Sequence, residues 1–131
     1  GIMTILDTNC LNTIAFYKIS AKFKLTKPID ESKSAFENCD YLGTSTSGSD
    51  IPRCPMVSLG ARNEVGASQN RPIASLDIPY ENDVKGWNTM SSIFQFFPNE
   101  ISAAETFIYI SGSPPGTNIL IDDVKLVKYE L

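Results

Sequence analysis

Between residues 15 and 25, apolar and polar side chains alternate: Tyr17, Ile19, Ala21, Phe23 and Leu25 are separated by Lys18, Ser20, Lys22 and Lys24. A period of two belongs to an extended strand with one face buried and the other in water. The segment therefore predicts a strand with a wet, basic face, which Pro28 stops. Residues 26–53 are dominated by turn formers and predict a long connection. A strand resumes over 56–61, with Val57, Leu59 and Ala61 set against Ser58 and Gly60. Residues 73–78 predict another, ended by Pro79. Over 87–96, Met90, Ser92, Phe94 and Phe96 share one face. Residues 106–111 are apolar on both faces, as a central strand is. Pro114, Pro115 and Gly116 predict a turn before a last strand over 118–128, and residues 1–6 read as a strand already under way.

About seven short strands separated by Gly, Pro, Asn and Ser predict an all-β fold, an antiparallel β-sandwich. No stretch sustains a helical period, and residues 101–104 can form one turn at most. The 131 residues match the size of one domain, so 1–131 is read as a single unit with one core.

In the last strand, Ile119 and Ile121 share one parity while Val124 and Leu126 share the other. The switch falls at Asp122 and Asp123, which predicts a β-bulge there. Two adjacent carboxylates at a bulge suit a hard cation such as Ca²⁺, and equally suit backbone hydrogen bonding.

Charge and composition narrow the chemistry. The net charge is -4 and the lysines are scattered, so a nucleic-acid partner is not expected. No apolar run is long enough to span a bilayer as a helix, and no membrane partner is expected. The opening residues lack the basic start of a signal peptide, so a secreted protein would carry its signal upstream. The chain has no histidine, which removes the commonest general base and metal ligand. Glu81 and Asp83 are ordinary charged turn residues, and no catalytic residue is assigned.

Of the three cysteines, Cys39 and Cys54 bracket a Gly/Ser/Thr-rich stretch. A disulfide between them would restrain a loop with few packing contacts of its own, as in secreted domains. Cys10 is then left over, as a buried free thiol or as the partner of a segment outside the sequence.

Several segments together resemble the carbohydrate-binding modules of the family 4, 9, 16 and 22 group. The ending Ile119-Leu120-Ile121-Asp122-Asp123-Val124-Lys125-Leu126 resembles their final strand. The stretch from Tyr17 to Leu25 resembles their Y-x-ϕ-S-A-x-ϕ-x-ϕ strand, and Gly86 to Phe94 their W-x-x-ϕ-x-x-x-ϕ strand. The resemblance implies a jelly-roll sandwich, galactose-binding-like in topology, within a larger extracellular protein, secreted or in a cell wall. It implies a polysaccharide or glycan as ligand and no enzymatic activity. It also implies a structural Ca²⁺ site formed from an early Glu and a late Asp. The early F-E motif is absent from this sequence, which leaves Asp122 and Asp123 as the late half. Trp87 occupies a position that packs structurally in the group.

Sugar hydroxyls are matched by amides, guanidinium groups and carboxylates, and sugar C–H faces by rings. Tyr80, Arg62, Asn63, Gln69 and Arg71, beside predicted strand ends, are the candidate ligand residues. Tyr17 falls in phase with the core. The alternative class is a structural module of an extracellular filament, coat or wall, joining neighbouring domains or identical subunits.

Overall fold

The structure, a computed structural model, describes residues 3–26, 39, 53–77, 87–111 and 118–130. Among these, the chain forms β1 (Met3–Ile5), β2 (Phe16–Thr26), β3 (Met56–Arg62), β4 (Ser68–Ala74), β5 (Asn88–Phe94), β6 (Glu105–Ser111) and β7 (Asn118–Tyr129). One helical turn, α1 (Pro98–Ile101), lies between β5 and β6, and a 3-10 turn, Thr8–Cys10, between β1 and β2. The strands form a four-stranded sheet, β1-β6-β3-β4, and a three-stranded sheet, β5-β2-β7. Every pairing is antiparallel. The expected antiparallel β-sandwich is the fold observed.

The alternation in β2 does what its period requires. Tyr17, Ile19, Ala21, Phe23 and Leu25 are buried, and the lysines between them face outward. Val57 and Leu59 of β3, Ile73 of β4, Met90 and Phe94 of β5 and Ile108 of β6 meet them from both sheets. Phe96 seals one end of the core, 5.1 Å edge-on from Tyr17 and 5.0 Å from Phe94. Edge-to-face geometry of this kind adds to the area the rings bury. The reading of Tyr17 as a core residue holds, and its hydroxyl also accepts the Asn12 N–H at 3.0 Å.

One strand and the helical turn start earlier than expected. β4 starts at Ser68, so Gln69, Asn70 and Arg71 lie within a strand and not in a loop beside one. Its polar residues hid it, and they are tolerated because β4 is an edge of its sheet, as is Pro72. The helical turn falls on 98–101, three residues earlier than 101–104, because Pro98 presets the first-turn φ.

The bulge expected in the last strand is present. The β2–β7 register slips between Ser20 and Lys22, and Asp123 adopts φ 55°. The extra residue returns Leu126 to the core side that Ile119 and Ile121 occupy. Cys39 and Cys54 form a disulfide with their Cα atoms 4.7 Å apart, and both are buried against the core. Cys10 is a free thiol and is exposed, which corrects its reading as a buried one. Most of the connection expected over 26–53 and the turn at 114–116 lie outside the described residues.

Candidate functional site: a polar groove beside an aromatic sheet face

The hairpin joining β3 to β4 is set by one asparagine. Asn63 Oδ1 accepts the N–H groups of Val65 (3.1 Å) and Ala67 (2.9 Å). Its backbone N–H donates to the Ala67 carbonyl, and its own carbonyl accepts the Gly66 N–H. Gly66 sits at φ 88°, where a side chain would be strained. The turn is therefore built before any ligand arrives, and the Asn63 Nδ2 group remains available as a donor.

Between this turn and the segment from α1 to β6 lies a groove of about 730 Å³. Asn63, Glu64, Ser68, Gln69, Asn99 and Ser102 supply its polar lining, and four alanines supply the rest. Asn99 Nδ2 donates to Gln69 Oε1 at 2.6 Å. That bond leaves the Gln69 NH₂ as a donor and the Asn99 carbonyl as an acceptor, side by side. A sugar hydroxyl is both donor and acceptor, so the pair matches it. Among the described residues, no ring lines the groove.

On the adjoining sheet, the side turned away from the core carries two rings, of which Phe107 is only 6% exposed and Tyr109 is half-buried. Glu105, Phe107 and Tyr109 of β6 face outward, opposite Arg62, Gly60 and Ser58 of β3. Phe107 and Tyr109 are 5.7 Å apart, and the Arg62 guanidinium lies 5.3 Å from the Phe107 centroid. A Cβ built on Gly60 would come within 2.4 Å of the Phe107 ring, so only glycine lets the ring lie against β3. Met3 and Ile5 of β1, opposite Tyr109 and Phe107, extend this surface and are exposed. The face and the groove meet where Arg62 pairs with both Glu105 and Ser68 across the sheet, since Ser68 also lines the groove.

The candidate residues thus separate. Asn63 and Gln69 come together in the groove. Arg62 stands at the junction, bonded to Glu105 Oε1 at 3.1 Å. Arg71 is committed to α1: it binds both oxygens of Glu100, at 2.8 and 2.9 Å, and the Gln95 carbonyl at 2.8 Å. Its guanidinium also lies 4.0 Å from the Phe97 centroid. Tyr80 lies outside the described residues. Trp87 is 44% exposed and does not pack in the core. The buried side chains of β5 fall at even positions from Asn88 to Phe94, so position 87 points the other way.

Asp122 and Asp123 are exposed at the bulge, remote in the chain from the groove residues. Asp123 pairs with Lys125 at 3.2 Å and Lys22 at 3.7 Å, and its backbone N–H donates to Asp122 Oδ1. The hydrogen bond from Lys125, with the charges of Lys125 and Lys22, holds the Asp123 carboxyl below its usual pKa. Calcium takes about six to eight oxygens, and among the described residues no group of three or more Asp, Glu, His or Cys converges. These two carboxylates do not make such a shell by themselves.

Asn99 and Ser102 escaped the sequence reading. Phe97-Pro98-Asn99-Glu100 did carry a signal: Pro followed by Glu two residues later marks a helix start. A helical turn there would have placed Asn99 on an exposed corner. The outward rings of β6 were hidden because β6 is apolar on both faces.

No family model matches the chain, and no curated protein matches it. Among solved structures, the chain is similar to the CBM22-1 xylan-binding domain from Paenibacillus barcinonensis Xyn10C, with a TM-score of 0.54 at 13% identity. The likeness covers 96% of this chain and 62% of that one, so the chain spans less than two thirds of its structural neighbour. The likeness bears out the expected fold, an antiparallel jelly-roll β-sandwich like that of this neighbour.

Proposed function

We propose that the domain is a noncatalytic carbohydrate-binding module that holds a polysaccharide chain in the groove and along the adjoining outer face of β6 and β3. The observation that carries this reading is the groove itself. Asn63, Gln69 and Asn99 offer hydroxyl-matching groups beside a sheet face on which the half-buried Tyr109 ring is accessible. Preformed clefts with a few convergent polar groups are the usual form of ligand sites. The fold shared with a xylan-binding domain supports the same reading. A buried disulfide suits an oxidising compartment, which supports an extracellular setting.

The test is retention on a panel of soluble and insoluble neutral polysaccharides. Gln69→Ala and Asn99→Ala should each weaken binding about tenfold, the loss expected for one neutral hydrogen bond with an unpaired partner. The melting temperature should stay close to that of the parent. Retention by none of the glycans, from a folded domain, would overturn the reading and favour the structural-module alternative.

A further inference from the structure

Phe97 is 51% exposed, the most exposed aromatic side chain among the described residues, yet it is firmly held. Its backbone is fixed at the start of α1: the N–H donates to Glu100 Oε1 at 2.7 Å, and the carbonyl accepts the N–H groups of Glu100 and Ile101. The Arg71 guanidinium covers one face of its ring, 4.0 Å from the centroid. That guanidinium is itself held by both Glu100 oxygens and by the Gln95 carbonyl. The ring is thus set in place by its own neighbours, and its exposure lies on the other face. Arg71 follows Gln69 on the same side of β4, roughly 7 Å further along the strand. Asn99, two residues after Phe97, donates to Gln69. The ring therefore stands next along β4 from the Gln69–Asn99 rung, outside the lining of the groove.

We propose that Phe97 is a further sugar subsite, which takes the C–H face of a neutral pyranose where a polysaccharide runs out of the groove along β4. The proposal rests on the reading of the groove as a polysaccharide site and extends it. The groove offers hydrogen-bonding groups and, among the described residues, no ring. Phe97 supplies the apolar contact that the C–H face of a sugar needs, beside the rung that meets its hydroxyls. A ring fixed beforehand gives up little side-chain freedom on binding, so more of the contact appears as affinity. Arg71, the cation behind the ring, already has its charge met by Glu100 at 2.8 Å, which selects a neutral sugar over a uronate.

The experiment starts with affinity electrophoresis of the whole chain in gels containing hydroxyethylcellulose, arabinoxylan or galactomannan. NMR titration follows, with the disaccharide and the hexasaccharide of the retained backbone (cello-, xylo- or manno-oligosaccharides). Only the longer probe reaches from the groove to the ring. Phe97→Ala should weaken hexasaccharide binding about tenfold and leave disaccharide binding unchanged. Phe97→Trp keeps a ring face and should bind the hexasaccharide as the parent does. Phe97→Leu keeps a side chain over Arg71 without a ring face, and should lose severalfold. Gln69→Ala, in the groove, should weaken both probes. Parent-like hexasaccharide binding by Phe97→Ala, with Gln69→Ala weakened, would overturn the subsite and leave the groove reading standing. Equal loss on both probes would also overturn it, since the ring would then act only through the Gln69–Asn99 rung. A parent chain retained by no polymer would remove the groove reading and the subsite together.

Discussion

Arg71 and Glu100 lock α1 onto β4 through a two-point ion pair: Nε meets Oε2 at 2.8 Å and Nη2 meets Oε1 at 2.9 Å. Glu100 is 5% exposed and also accepts the Phe97 N–H at 2.7 Å. Gln69, two residues before Arg71 on the same side of β4, bonds to Asn99, the residue before Glu100. The clasp and one wall of the groove are thus consecutive rungs between the same two elements.

Removing one partner of a buried pair strands the other charge, which costs about 3–5 kcal/mol. Arg71→Met should lower stability by that order in urea titration monitored by tryptophan fluorescence. Adding Glu100→Leu should recover much of the loss, because no charge is then left buried. A double variant no more stable than the single would show that the ion pair is not the source of the loss.

Gly60→Ala should cost about 1–3 kcal/mol as an overpacked site. The new Cβ would fall 2.4 Å from the Phe107 ring and 2.8 Å from Asn70 Oδ1, so the ring must lift off β3. Thermal melts and aromatic NMR shifts of Phe107 report this. Unchanged melting together with unchanged Phe107 shifts would contradict the close approach.

Reduction should act only through Cys39 and Cys54. In the chain-entropy account, a bridge closing a loop of 15 residues contributes about 3 kcal/mol. The melting temperature should fall in dithiothreitol. A thiol assay should find one reactive group in the native protein, Cys10, and three after denaturing reduction.

Asp123 sets an acid limb on stability. Its folded pKa lies below its usual value near 3.8 because Lys125 and Lys22 favour the charged form. The contribution is complete above the unfolded value and fades as pH falls through the folded one. Asp123→Asn should abolish this part of the acid dependence, read as melting temperature against pH between about 2 and 6. The same melts with calcium and with chelator test the expected cation: two carboxylates already engaged predict no shift. A clear rise with calcium would mean that residues beyond those described complete a shell.

The sequence by itself determined the strands whose side chains alternate, because a period of two has one burial solution on a sheet. β2 is the clearest case. The parity break at Asp122 and Asp123 was legible for the same reason, since only an inserted residue keeps both Ile121 and Leu126 facing the core. The disulfide was legible from the loop it closes. Tertiary structure decided the rest. β4 could not be read because an edge strand can be polar along most of its length. Arg71 looked like a ligand residue until α1 placed Glu100 against it, 29 positions later in the chain. The groove joins residues 63 and 69 to residues 99 and 102. Such groupings depend on strand order and register, which follow from how two sheets bury one core, and no local pattern encodes them.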